Sequence, residues 1–182
     1  MAVAVVVVLA LIIWAISTYN KIVSLRVQSD DGFSTIDVYL KKRYDLIPNL
    51  VETVKGYAKH ESETLEKVIA ARNQLASAST TDEKVAADGA MTQAVRELNM
   101  VVERYPELKA NTNFLDLQGQ LKSVESELAQ ARKYYNATVR VYNVKIQSFP
   151  SLIIAKLMKA KAKAMFNLDD APAERQNVKV SF

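Results

Sequence analysis

Cysteine is absent from this 182-residue sequence, and histidine occurs once, at His60. No disulfide, thiol nucleophile or cysteine-bound metal is therefore available. A di-metal bundle needs two Glu-x-x-His sets, but the residue three before His60 is Tyr57. No glycine-rich phosphate loop occurs, and His60 alone makes no convincing Ser-His-Asp triad. We therefore expect a protein that is not an enzyme and that uses no cofactor, metal or small-molecule substrate.

Glycine and proline are also scarce, with four of each. This composition favours long helices over many turns, in a chain long enough for one domain with a hydrophobic core. The net charge is a modest +4. Three cations cluster in KKRYD, residues 41–45, without a nucleic-acid recognition motif, so we expect a solvated face and no nucleic-acid partner. Arg43 lies beside an apolar stripe, where a guanidinium usually pairs with a carboxylate.

The first twenty residues carry no charged side chain, and residues 2–16 form an uninterrupted apolar run. Extended to Val23, this run predicts a helix that crosses a bilayer core of about 30 Å. A cleaved signal peptide is the alternative, but no basic residue precedes the run. We assign residues 1–23 to a transmembrane anchor. Its apolar side chains are Ala2, Val3, Val5, Val6, Val7, Val8, Leu9, Leu11, Ile12, Ile13, Trp14 and Ile16.

Basic residues stand on one side of the anchor only, where Lys21 and Arg26 follow it. The positive-inside bias then predicts a single-pass protein with its amino terminus outside and the rest of the chain in the cytoplasm. Membrane lipids are accordingly the first partner that we expect.

Pro48 lies in a long stretch of apolar residues spaced three and four apart. The spacing passes through the proline without a shift, so we predict one long kinked helix here and not two helices joined by a loop. That helix should end at residues 77–82, and Gly32 offers a second weak point. Pro48 has no backbone N–H, which leaves the carbonyl of Tyr44 without its usual donor.

Two more long helices are predicted after this one. Thr80 and Glu83 have the spacing of a capping box, and Pro106 marks the end of the helix that they begin. Asn111 or Thr112 can cap the next helix, which carries the most regular apolar stripe of the sequence.

These elements predict an all-α fold, in which the transmembrane helix is followed by an elongated antiparallel bundle of three to four long helices at residues 24–149. The apolar stripes are long and narrow. They can therefore also pair between copies of the chain, and we expect a homo-oligomer.

The chain changes character at residues 150–166, which contain four lysines and no acid. On a helical wheel Lys156, Lys159 and Lys163 cluster together, which is typical of a basic amphipathic helix on an anionic membrane. A fourth bundle helix with a solvated lysine face is the alternative.

The tail, residues 167–182, is polar until VKVSF, whose alternation suits a short strand. Alone, such a segment is disordered. We expect Val178, Val180 and Phe182 to dock on a neighbouring subunit by strand addition.

Two Tyr-Asn pairs lie one heptad apart, at Tyr135-Asn136 and Tyr142-Asn143. They form either a ligand or partner site, or core tyrosines with asparagines that satisfy buried polar groups, and the structural interpretation is favoured. We predict that Asn136 or Asn143 donates to the Tyr44 carbonyl. The residues assigned to the kink and to helix packing are Arg43, Tyr44, Pro48, Asn49, Tyr135, Asn136, Tyr142 and Asn143.

Several segments together resemble the LemA family: YNKIVSLR, IDVYLKKRYDLIPNLVETVKGYAKHE, YPELKANTNFLDLQGQL, ARKYYNATVRVYN and SFPSLIIAK. The resemblance runs from Tyr19 to about Phe166. It implies a single-pass bacterial inner-membrane protein with a helical bundle on the cytoplasmic side, and it supplies no reaction. Where the family often has an Ala-Trp pair, this chain has Gly32-Phe33.

We expect a non-enzymatic scaffold that is anchored in the membrane, self-assembles there and organises or remodels it. The alternative is an adaptor that regulates a membrane enzyme or a quality-control protease through the surface of the bundle. A dominant membrane-protein partner would distinguish the adaptor from the scaffold.

Overall fold

The computed structural model describes residues 1–166, and every regular element in this part of the chain is an α-helix. The helices are α1 (Ala2–Tyr57), α2 (Ser62–Ser77), α3 (Thr81–Val102), α4 (Pro106–Lys109), α5 (Thr112–Gln147) and α6 (Ser151–Leu157). The all-α fold predicted from the sequence is confirmed. The docking residues Val178, Val180 and Phe182 lie outside the described residues, so their strand addition stays a prediction.

The chain divides into two compact units. We call residues 1–36 and 130–165 the anchor unit, and residues 37–129, to which Phe166 also belongs, the bundle unit. The two longest helices, α1 and α5, each contribute residues to both units.

In the anchor unit, the first part of α1 packs antiparallel to the last part of α5. Ile22 and Leu25 share a buried cluster with Tyr142 and Ile146 of α5. Further along α1, the ring of Phe33 lies 5.5 Å from that of Tyr135. Residues later in α1 thus contact residues earlier in α5, so the two helices run antiparallel.

Gly32 lies where these two helices approach closely. A Cβ placed there would stand 3.3 Å from the Cα of Tyr135 and 3.3 Å from the ring of Tyr134. Glycine therefore allows the backbones to approach, at the usual cost of glycine inside a helix. The helix does not break at Gly32, the weak point proposed above, because packing against α5 supports it.

The bundle unit has a large apolar core. Ile47 and Val54 of α1, Val68 of α2, Leu98 of α3 and Phe114 of α5 belong to one cluster of buried side chains. Each lies on the three-four spacing of its own helix, and burying these stripes against one another supplies the main driving force for folding.

Pro48 lies inside α1 without interrupting it, as the unbroken spacing predicts. The prediction that the same helix continues to residues 77–82 is wrong, because α1 ends at Tyr57 and α2 begins at Ser62. The four-residue turn escaped detection because it preserves the spacing. Ala58 and Leu65, seven residues apart, are both buried in the same cluster.

Side-chain caps fix the starts of α3 and α5. The hydroxyl of Thr80 accepts from the Glu83 N–H at 3.2 Å, and the Glu83 carboxylate accepts from the Thr80 N–H at 3.0 Å. The predicted capping box is therefore present. Hydrogen bonds from the backbone N–H groups of Thr80 and Ser79 lower the pKa of Glu83 to about 2. Asn111 caps α5 by accepting from the Phe114 N–H at 2.9 Å.

The predicted basic amphipathic helix at residues 150–166 is much shorter in the structure. Helix α6 ends at Leu157, and Lys159 has a φ of 53° that is incompatible with a continuing right-handed helix. Lys156, Lys159 and Lys163 therefore do not share a helical face. After α6 the chain runs to Phe166 without regular secondary structure.

Candidate functional site

Arg43 is the most unusual residue of the bundle unit, because its side chain is only 2% exposed. It lies on the buried face of α1 with Leu40 and Ile47, at the same three-four spacing. A buried guanidinium retains its charge, so its removal from water must be offset by acceptors placed around it.

Two carboxylates and a hydroxyl supply those acceptors. Arg43 Nη1 donates to Asp88 Oδ1 at 2.8 Å and to Thr92 Oγ1 at 3.1 Å, both on α3. Arg43 Nη2 donates to Glu125 Oε1 of α5 at 3.1 Å. Asp88 is fully buried, whereas the Glu125 side chain is 43% exposed. The pairing expected for Arg43 is present, and it joins α1, α3 and α5 at a single level of the bundle.

One donor of this arginine lacks an acceptor. Its Nε is buried and makes no hydrogen bond to any described residue. A guanidinium held in this way orients helices and specifies their register. We therefore interpret the Arg43 network as a structural device of the bundle.

The Tyr44 carbonyl, which Pro48 deprives of its helical donor, is served by Arg72 of α2. Arg72 Nε donates to that oxygen at 3.3 Å, and its guanidinium carbon lies 3.8 Å from the centre of the Tyr44 ring. The prediction that Asn136 or Asn143 fills this role is wrong. The sequence analysis missed Arg72 because this residue comes near Tyr44 only through the turn at residues 58–61, and the apolar spacing does not reveal that turn.

The Tyr-Asn residues instead hold the segment that follows α6. Asn143 donates from Nδ2 to the Lys163 carbonyl at 2.8 Å and accepts at Oδ1 from the Lys163 N–H at 2.9 Å. The hydroxyls of Tyr135 and Tyr142 donate to the carbonyls of Ala164 and Lys161, at 2.8 and 3.1 Å. The buried polar groups are thus satisfied by an irregular backbone, which needs such partners because it has no helical ones.

Two further residues assigned to packing, Asn136 and Asn49, differ in their exposure. Asn136 is half-buried, and Asn49 is exposed on the outer face of α1. The only described side-chain bond at Asn49 goes to its backbone carbonyl, from Thr53 Oγ1 at 2.7 Å. Asn49 therefore has no described side-chain contact that would support the helix around Pro48.

The three lysines assigned to a membrane surface have different surroundings. Lys156 and Lys159 are exposed. Lys163 points back to α1, where its ammonium donates to Asp30 Oδ1 at 2.6 Å and to the Arg26 carbonyl at 3.0 Å. Only the first two lysines are available to a lipid surface.

The apolar start of α1 is almost wholly uncovered. It contains a window with the length and hydropathy of a membrane span, of which 6% is buried. Its side chains are exposed from Val3 to Ile13, and regular burial begins only at Thr18 and Ile22. Such exposure is typical of a helix that requires lipid around it and not of a core helix.

An open groove of about 390 Å³ lies along α1 in the bundle unit. Its charged groups have partners, since Lys84 Nζ donates to Asp37 Oδ1 at 2.7 Å, and Lys41 lies 3.5 Å from Asp45, which is not part of the groove lining. Among residues 1–166, no group of three or more His, Cys, Asp or Glu side chains converges as a metal site would require.

Together these features define an all-α protein with a candidate membrane span at its amino-terminal end and a helical bundle held by a buried arginine. The sequence profile of the LemA family matches residues 32–182. The chain therefore belongs to the LemA family, as the resemblance of its motifs indicates.

Two kinds of named relatives are similar to this chain. Protein LemA of Metamycoplasma hominis is 24% identical over 163 residues, which cover 89% of this chain and 74% of that protein. Magnetosome proteins MamQ 1 and MamQ 2 of Paramagnetospirillum magneticum are each 25% identical over 176 residues. That similarity covers 82% of this chain and 65% of each MamQ protein.

Proposed function

We propose that this protein is a non-enzymatic scaffold of the bacterial inner membrane, which self-assembles there and organises or remodels the bilayer. The exposed apolar start of α1 and membership of the LemA family support the membrane anchor. Lys21 and Arg26, which follow the apolar run, support an amino terminus outside and a cytoplasmic bundle.

The observation that carries self-assembly is a second apolar stripe on α5, separate from the buried one. Tyr134, Val141 and Val144 are 54%, 52% and 58% exposed. With Ala137, which is also exposed, they alternate at spacings of three and four. This is the pattern by which helices of two chains pack knobs into holes. Exposed apolar side chains repeated in this way usually mark an interface.

Anchoring makes the pairing of these stripes favourable. Copies held in one membrane share the same orientation, so their stripes stand at equal heights and can meet around a two-fold axis along the membrane normal. Confinement also raises the local concentration of the partner, which allows a small interface to assemble.

Crosslinking in membranes tests this assignment, because the chain has no cysteine of its own. We expect Val141→Cys to give disulfide-linked dimers of the full chain under mild oxidation. Arg140→Cys is the matched control, since Arg140 is exposed but lies about 100° around the helix. It should crosslink at least several-fold less.

Equal crosslinking at the two positions, together with a monomeric mass by light scattering in detergent, would contradict the scaffold. A dominant adduct of Val141→Cys with a foreign membrane protein would instead favour the adaptor that regulates a membrane enzyme or protease.

A further inference from the structure

Helix α6 and the connection that precedes it present large apolar side chains to their surroundings. Phe149 is 81% exposed and Leu157 78% exposed, with Ile153 between them at 50%. The spacing of four residues keeps Ile153 and Leu157 on one face of α6. These three residues, which we call the turn tip, make an apolar surface that the described part of the chain does not cover.

A groove of about 370 Å³ lies between the start of the turn tip and the end of the candidate membrane span. It is lined by Trp14 and Lys21 of α1 and by Ser148, Phe149 and Pro150 of the connection. The base of the turn tip therefore stands beside the stretch of α1 between the tryptophan and the lysine.

The length of the apolar run puts this stretch at the boundary of the candidate membrane span. A span needs about 20 apolar residues. The stretch of α1 without charged side chains ends at Asn20, just before Lys21. Trp14, seven residues earlier, lies about 10 Å deeper at 1.5 Å per residue. That interval matches the depth of about 5–10 Å at which apolar side chains enter the boundary between headgroups and acyl chains.

The charge around the turn tip suits an anionic lipid surface. Residues 128–166 contain eight basic residues and no acid. Lys21 and Lys145 line the groove, and Lys156 is exposed on α6. None of these three lysines forms an ion pair with a described carboxylate, so all three ammonium groups are available to lipid phosphates.

We propose that the turn tip is a second membrane contact, which inserts into the interfacial layer of the anionic leaflet from which α1 emerges. Phe149, Ile153 and Leu157 enter the layer, and Lys21, Lys145 and Lys156 meet its phosphates. The anchor unit is then held at two points, which restricts the tilt of α1. The inference rests on the membrane anchoring in the proposed function and not on self-assembly.

Depth-dependent fluorescence quenching tests the proposal on the full chain in vesicles of phosphatidylglycerol and phosphatidylcholine. Single cysteines at Ile153 and Val27 form a matched pair, because both native side chains are 50% exposed. Each variant carries an environment-sensitive fluorophore. We expect the label at Ile153→Cys to be quenched by shallow spin-labelled lipid and protected from aqueous iodide, and the label at Val27→Cys to behave in the opposite way.

Two further measurements test which side chain and which lipid charge hold the turn tip in the interfacial layer. Phe149→Asp should reduce lipid quenching at position 153 by at least about two-fold without changing the helical circular dichroism, because the altered side chain is exposed. Vesicles without phosphatidylglycerol should also reduce it if the lysines meet phosphates.

Iodide quenching at Ile153→Cys equal to that at Val27→Cys would overturn the proposal. So would protection from iodide without quenching by lipid, since that result indicates a protein cover such as a second copy. Lipid quenching that does not depend on phosphatidylglycerol would overturn the role of the lysines. The size of the oligomer is measured separately, so failure here leaves self-assembly standing.

Discussion

The guanidinium of Arg43 donates to the carboxylate of Asp88 over 2.8 Å, with 2% of one side chain and none of the other exposed to solvent. The two residues belong to α1 and α3, which are separated by α2 along the chain. A charge pair this deep costs desolvation that only its mutual attraction and its neighbours offset. It is therefore far more sensitive to the loss of one partner than to the loss of both.

Replacing Arg43 by Met is expected to lower the free energy of unfolding by about 3–5 kcal/mol, because it removes the guanidinium that pairs with the buried Asp88 carboxylate. The double variant Arg43→Met, Asp88→Leu should cost less than Arg43→Met alone. Glu125→Gln should cost less than about 1 kcal/mol, because that side chain is 43% exposed. Urea unfolding followed by circular dichroism measures all three. A loss below about 1 kcal/mol for Arg43→Met would contradict the role assigned to the pair.

Arg72 and Pro48 should be energetically coupled through the Tyr44 carbonyl. With Pro48 present, Arg72→Met leaves that carbonyl without the donor seen in the structure and is expected to cost about 1–2 kcal/mol. Pro48→Ala restores a backbone N–H, so the same arginine change should cost at least about 0.5 kcal/mol less in that background. A double-mutant cycle of unfolding free energies checks the coupling. Strict additivity would mean that Arg72 contributes through its stacking on the tyrosine ring alone.

Because of Glu83, the stability of the start of α3 should depend on pH only in the acidic range. Its pKa falls from an ordinary 4.5 to about 2 on folding, because the backbone N–H groups of Thr80 and Ser79 donate to the carboxylate. The stabilisation is thus complete above 4.5 and disappears as the pH falls toward 2. Amide shifts of Thr80 and Ser79 in an NMR titration should follow this midpoint. Glu83→Gln should abolish the transition and the exposed control Glu66→Gln should retain it; a midpoint near 4.5 would contradict the capping geometry.

Sequence patterns predicted the parts of the fold that local chemistry determines. Three such parts are the Thr80 capping box, the Asn111 cap and the helix that continues through Pro48. Each depends on residues within one or two helical turns of each other. The turn at residues 58–61 was missed because it keeps the apolar spacing intact. Periodicity alone cannot distinguish such a turn from a continuous helix.

The sequence also could not predict which residues far apart in the chain contact each other. That Arg43 needs a carboxylate follows from its position beside the apolar stripe, but the choice of Asp88 depends on how three helices pack. The helical face that Lys163 was predicted to share with Lys156 is absent for the same reason. A helical wheel places it with Lys156, whereas the chain leaves the helix at Lys159 and turns Lys163 toward Asp30.

Asn143, Lys163 and Lys156 should therefore affect the segment after α6 in a definite order. Asn143→Ala removes two hydrogen bonds to the Lys163 backbone, in a partly buried setting, and should destabilise the docked segment by about 1–3 kcal/mol. Lys163→Met removes the ion pair with Asp30, whose side chain is 61% exposed, and should cost no more than about 1 kcal/mol. Lys156→Met touches no described partner and should cost nothing.

Hydrogen exchange of the Lys163 amide measures this order directly, because that N–H is bonded to Asn143 Oδ1 and is released when the segment opens. A loss of about 1.4 kcal/mol corresponds to tenfold faster exchange. We expect acceleration of about five-fold or more in Asn143→Ala, a smaller acceleration in Lys163→Met and none in Lys156→Met. If Lys156→Met accelerated exchange as much as Lys163→Met, the two lysines would be equivalent, and the inward contact of Lys163 would not be what holds the segment on α1.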